Sequence, residues 1–179
     1  MQRRTCLGLG LAALPPALFA QPAVSLPEFE GMFQQGQAQM RFFGLLIYDI
    51  RLWVLERATA QSWAQQALAL ELVYARDLSG REIARRSLLE MRRQAEIDAA
   101  KAARWLAEME AAFPDVHAGD RITGRYEPDG DTRFFVNGRL QRQVIGSGFG
   151  RLFFGIWLSP QSSEAGLRDK LLNGSGAGR

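Results

Sequence analysis

The sequence predicts an α+β domain built on a mostly antiparallel sheet. Three observations carry this. Strand-like segments come in groups, separated by two consecutive helical patterns, and a further helical pattern closes the chain. The dipeptide Asn137-Gly138, between two strand-like runs, is a strong hairpin signal. Neither an internal repeat nor a composition break divides the chain, so one domain is expected over residues 21–174.

The first twenty residues stand apart from that domain. Arg3 and Arg4 form a positive start, Leu7 to Phe19 is apolar but broken by Pro15 and Pro16, and Ala20 offers a small residue for cleavage. Such a run is too short and too interrupted to span a membrane, and it reads as a secretory signal over residues 1–20. The Arg3-Arg4 pair also loosely resembles a twin-arginine export signal. A periplasmic or secreted protein starting near Gln21 is expected, with no transmembrane segment in the mature chain. Cys6 is the only cysteine and leaves with the signal, so the domain stands on its core without disulfides. Roughly 160 mature residues are enough for that, since a domain of this size buries about 68–70% of its unfolded surface.

The elements follow in order. Met40 to Val54, MRFFGLLIYDIRLWV, is rich in aromatic and β-branched residues, with a turn expected near Gly44. Ala67 to Ala75 alternates Leu68, Leu70, Leu72 and Tyr74 against Ala69, Glu71 and Val73, the pattern of a half-buried strand. Ser79 precedes Glu82 by three residues, a capping box that opens a helix whose Ile83, Ser87, Leu88 and Met91 share one face. Asp98 caps a second helix with a Trp105, Leu106, Met109 and Phe113 stripe, ended by Pro114. Strands are expected at Arg121 to Glu127, Thr132 to Val136 and Leu140 to Ile145, with turns at Asp129-Gly130 and Asn137-Gly138. Phe149 to Leu158 suits a buried helix running into a last strand. Ser162 to Leu172 reads as the closing helix, stopped by Asn173-Gly174, and 175–179 as a loose tail.

Composition excludes several functions. The chain carries a formal charge of +3, which falls to +1 once Arg3 and Arg4 are removed, and its arginines alternate with glutamates. No basic stripe interleaved with aromatics is present, so nucleic acid is not an expected partner. His117 is the only histidine and lies in a turn-like PDVHAGD segment. One histidine with neighbouring carboxylates is a poor metal site, and no G-x-S-x-G elbow or P-loop occurs. Neither a metal nor a cofactor is expected.

Arg41 is the unusual residue, because Met40, Phe42 and Phe43 surround it. If Phe43-Gly44 is a two-residue turn, Arg41 pairs with Leu46, and Tyr48, two residues on, shares their face. An arginine fork and a phenol in an apolar pocket suit a carboxylate or a carbonyl oxygen. In one straight strand, the odd spacing would instead separate Arg41 from Tyr48. A plain ion pair between Arg41 and a core-edge carboxylate accounts for the residue equally well.

Four segments together resemble the chalcone isomerase-like family, and in particular its exported bacterial branch. They are MRFFGLLIYDIRLWV, DLSGREIARRSLLEM, AARWLAEMEAAFP and FFGIWLSP, and the resemblance spans roughly Gly36 to Leu172. It implies an open-faced β-sandwich, a large antiparallel sheet with helices packed on one face. In the family's plant isomerases an arginine polarises the substrate ketone, and Arg41 matches it. Tyr48 falls approximately at an assisting threonine. Ile83 replaces a helix tyrosine, and Glu90 falls at the position of an asparagine.

That pattern departs from the isomerase set and is closer to fatty-acid-binding relatives, where the same arginine holds a carboxylate. The leading expectation is a non-catalytic periplasmic protein that binds a fatty acid or similar hydrophobic carboxylate through Arg41 and Tyr48, with Ile83 in the apolar wall. One alternative is an intramolecular lyase acting on an enone, with Arg41 as electrophile and Tyr48 as proton donor. Another is a structural or partner-binding protein whose cavity is filled by Trp53, Trp105, Phe153 and Trp157.

Overall fold

A computed structural model describes residues 26–174 apart from Asp129 and Ser147. The expected signal segment 1–20, the 175–179 tail and Asp129 of the expected 129–130 turn therefore lie outside the described residues.

Six strands form one sheet in sequence order: β1 (Phe33–Phe42), β2 (Leu45–Val54), β3 (Leu68–Tyr74), β4 (Arg121–Tyr126), β5 (Thr132–Val136) and β6 (Arg139–Val144). Every neighbouring pair is antiparallel. Helices α1 (Gly80–Arg92) and α2 (Ala99–Ala112) are inserted between β3 and β4, while α3 (Phe149–Leu158) and α4 (Ala165–Asn173) follow β6. The helices pack on one face, and one apolar core lies between them and the sheet. This is the α+β layout that the order of elements predicts.

The two hairpin turns are built from left-handed residues. Phe43 and Gly44 have φ of 47° and 80°, and Asn137 and Gly138 have 49° and 79°. Positive φ at both central positions matches the twist of the flanking strands, which is why Asn-Gly announces its hairpin so clearly. Phe43 is the unexpected occupant. Its ring projects almost fully into solvent and meets Phe42 edge-on.

Three expectations need correction. β3 is buried almost throughout rather than half-buried, because the helices cover one face and a turn at Pro27–Phe29 reaches the other. Phe149 to Leu158 is helical along its whole length, with no strand after it. A short apolar run fits either conformation, and here it is bulky enough to fill the space above the sheet as a helix. The third concerns α1. Ser79 occupies the N-cap position but makes no side-chain cap bond. The Gly80 amide donates instead to Asp115 Oδ1, 2.9 Å away in the segment after α2. A carboxylate arriving from a distant loop satisfies one of the orphan amides at the start of α1, in place of any bond from the Ser79 side chain.

This arrangement predicts that Asp115→Ala lowers stability by about 0.5–2 kcal/mol, while Ser79→Ala stays within about 0.5 kcal/mol of wild type. Urea midpoints of the two variants check it, and the reverse order would restore the local cap.

Candidate functional site

A cavity of about 320 Å³ opens between the sheet and α1. That places it at the lower end of the range of about 300–1,000 Å³ usual for ligand pockets. The first hairpin supplies Met40, Phe42, Ile47 and Tyr48, and β3 supplies Leu72 and Tyr74. From the helix side come Ile83 and Ser87 of α1 and Ile156 and Trp157 of α3. Polar residues also line it: Glu82, Arg86 and Glu90 of α1, together with Ser163 and Glu164. The spacing of four residues puts Glu82, Arg86 and Glu90 in one row along the helix.

The interior holds two phenols. Tyr48 and Tyr74 are cross-strand partners, with ring centroids 5.8 Å apart at 71°. The Trp157 indole N–H donates to the Tyr48 hydroxyl at 3.0 Å. Burial pushes the Tyr48 phenol up to about 12, against the opposing effect of that hydrogen bond. Burial also pushes Tyr74 well above its ordinary value, with Tyr48 adding to the effect. Both groups are therefore neutral at neutral pH and able to donate.

The ionic groups are partly paired. Arg86 Nη2 lies 2.6 Å from Glu90 Oε1, and the other Glu90 oxygen accepts from Ser163 Oγ at 3.0 Å. Arg93 also approaches Glu90, at 3.5 Å. Glu90 is buried, and its position expected for a family asparagine places it in the cavity lining. The Ser87 hydroxyl donates to the Ile83 carbonyl within the helix at 2.8 Å.

Of the residues expected at the site, Tyr48 and Ile83 reach this cavity and Arg41 does not. Arg41 does sit opposite Leu46, but Met40 sits opposite Tyr48, so Ile47 is an extra residue in β2. This bulge breaks the two-residue alternation that was to carry Leu46 and Tyr48 on one face. Arg41 instead points to the side bearing Gln39 and Asp49. There it donates to Gln39 Oε1 at 3.0 Å and the Gly44 carbonyl at 3.1 Å. It has no carboxylate partner among the described residues, so the ion-pair reading is not realised either. A second depression, about 580 Å³, includes Arg41 with Gln37, Gln39, Asp49, Arg51 and Lys170. It is larger but mostly polar, and an apolar ligand would gain little there.

His117 is exposed, its Nδ1 3.4 Å from Asp77, and stands in no catalytic cluster. Among the described residues no group of three His, Cys, Asp or Glu side chains is placed to hold a metal, and no helix is long and apolar enough to cross a membrane. Sequence reasoning missed Tyr74, Arg86 and the role of Trp157. For Tyr74 the signal was its place in the inward alternation of β3; for Arg86, its four-residue spacing from Glu82 and Glu90.

The raised phenols make a pH prediction. A folded-state pKa above the unfolded one contributes stability that is complete below the unfolded value and lost as pH rises through the folded value. For Tyr48 that window runs from 10.0 to about 12. Denaturant midpoints should fall between about pH 10 and about pH 12, and Tyr48→Phe should make that fall shallower. An unchanged slope in the variant would mean that Tyr48 titrates as a solvated phenol.

The family model for chalcone isomerase-like proteins matches residues 38–173. An uncharacterised protein of Haemophilus influenzae is 28% identical over 137 residues, which is 76% of this chain. The match spans 66% of that relative's length, slightly under two-thirds. Among solved structures, a fatty-acid binding protein of Arabidopsis thaliana superposes with a TM-score of 0.60 at 9% identity, covering 80% of this chain and 88% of that one. At that identity the likeness shows the fold.

Proposed function

This chain belongs to the chalcone isomerase-like family, and we propose that within it the protein is a non-catalytic carrier of a fatty acid or similar hydrophobic acid. One observation carries the reading: the cavity between the sheet and α1 is apolar for most of its lining, and its charged lining residues come from α1 and the segment leading into α4. Apolar walls contribute roughly 25 cal/mol for each Å² of acyl surface they remove from water, without requiring any reaction. The structural likeness to a fatty-acid binding protein supports the reading at the level of fold.

The anchor differs from the one expected. With Arg41 turned away, the cation at the cavity is Arg86, already engaged by Glu90. The enone-isomerase alternative needed Arg41 as electrophile and Tyr48 as proton donor. The first stands outside the cavity, and the second holds its proton more tightly than an ordinary phenol. The self-filled alternative meets an open cavity instead, although Trp157 contributes to its wall. Trp53, offered as a filler, stacks on Phe29 outside the cavity lining. A periplasmic or secreted setting is part of the proposal and rests on the signal-like residues 1–20.

Native mass spectrometry of residues 21–179 tests it. A bound mass of fatty-acid size is expected in wild type and in Arg41→Ala, and its loss in Ile83→Trp, which fills the cavity. A spectrum that stays empty after incubation with free fatty acids and with their methyl esters would sink the carrier reading. Loss of the ligand in folded Arg41→Ala would move the site to the polar depression.

A further inference from the structure

We propose that Tyr48 and Tyr74 together hold an oxygen of the ligand, and that the ligand binds with its head group uncharged, as an ester or an undissociated acid. The inference rests on the carrier reading and specifies its chemistry.

The donors come first. Tyr74 is 97% buried by its 3% exposure, lines the cavity, and has no hydrogen-bond partner for its hydroxyl among the described residues. Tyr48 accepts from Trp157, a bond that uses an oxygen lone pair and leaves the phenol proton uncommitted. Two O–H donors on cross-strand partners thus border one cavity, and neither has a protein acceptor among the described residues. A carbonyl oxygen carries two lone pairs and can accept from both. The tyrosines lie on neighbouring strands at the same register, so the sheet fixes their spacing. Trp157 orients one of them from the helix side.

Charge then selects the form of the ligand. Of the ionisable groups around the cavity, α1 contributes Glu82, Arg86 and Glu90, and Glu164 stands just before α4. The strands contribute only the two phenols. Three carboxylates line the cavity with one guanidinium, that of Arg86, which is paired to Glu90; Arg93, outside the lining, is drawn to Glu90 as well at 3.5 Å. A carboxylate head would enter a field of its own sign with no free cation to meet it. An uncharged carbonyl is indifferent to that field and still accepts from both phenols. The upward shift of both tyrosines reports the same preference for neutral groups.

The test compares decanoic acid with methyl decanoate by calorimetry on the folded mature protein between about pH 4 and about pH 8. The ester's affinity should be flat across this range. The acid's should fall about tenfold for each unit above its own carboxyl pKa, because only the protonated form is taken. Tyr74→Phe and Tyr48→Phe, each removing one hydroxyl, should each weaken the ester by about tenfold. Ester binding that neither variant changes would overturn the clamp and leave the carrier reading standing. Acid binding undiminished at the upper pH would overturn the uncharged head group, a result that needs no variant to fold. If neither probe binds, the carrier reading fails and the clamp with it.

Discussion

The burial of α3 against the sheet is the contact on which the rest of the structure depends. Eight of its ten residues are buried, so the helix has almost no solvent face and its orientation is set by what it fits. Phe153 packs edge-on against Phe134, Phe154 and Trp157, and stacks beside Phe149. Fully burying each such ring stabilises the fold by about 1.5–3 kcal/mol before the shape of the contact is counted. The fit requires close approach. A Cβ on Gly150 would come within 2.6 Å of Thr132 Oγ1 and 2.7 Å of the Tyr126 ring, so glycine is what lets the first turn of α3 lie on β4 and β5. Gln94 closes the other side by donating to the Leu152 carbonyl at 2.7 Å. Because Trp157 lies on this helix, the wall of the cavity is continuous with the core and cannot shift independently of it.

The opposite face of the sheet solves a different problem. Glu28, fully buried, pairs with Arg121 at 3.1 Å; Arg121 reaches Glu71 at 3.3 Å, and Glu71 pairs with Arg51 at 2.9 Å. Phe29 stacks on Trp53 at 4.5 Å beside this chain of charges. Buried ion pairs contribute little net stability, but removing one partner leaves a costly unpaired charge. The network therefore acts mainly as a registration device. It fixes the Pro27–Phe29 turn over β2, β3 and β4, and so accounts for the burial of β3 on both sides.

How much of this was legible in the sequence depended on the range of the interaction. β5 and its Asn137-Gly138 turn could be read to the residue, because turn chemistry and strand alternation are local. α2 and its Asp98 cap, which accepts from the Lys101 amide at 2.8 Å, were equally plain. The cap of α1 was not, since Asp115 lies 35 residues away from the amide it serves. α3 was ambiguous because an unbroken apolar run has no period to decide between helix and strand. Tyr74 could be placed on the inward face of β3, but its partnership with Tyr48 depends on a register set across the long β2–β3 connection.

Arg41 shows how small a feature can redirect a site. The hairpin turn and the Arg41–Leu46 pairing follow the sequence, yet one extra residue in β2 reverses the inference drawn from them. Nothing in the composition of LLIYD marks Ile47 as a bulge, since a bulge is decided by how the two strands twist together. Its effect on the cavity is an exchange. Ile47 and Tyr48, consecutive in sequence, both contribute to the lining, while the guanidinium goes to the polar side of the sheet. The cavity loses a cation and gains apolar surface, which under the proposed carrier role puts burial and neutral hydrogen bonds in place of an ion pair. Among the described residues the lining charges without an ion-pair partner are carboxylates, so under the proposed carrier role the site favours an acyl chain over an anionic head.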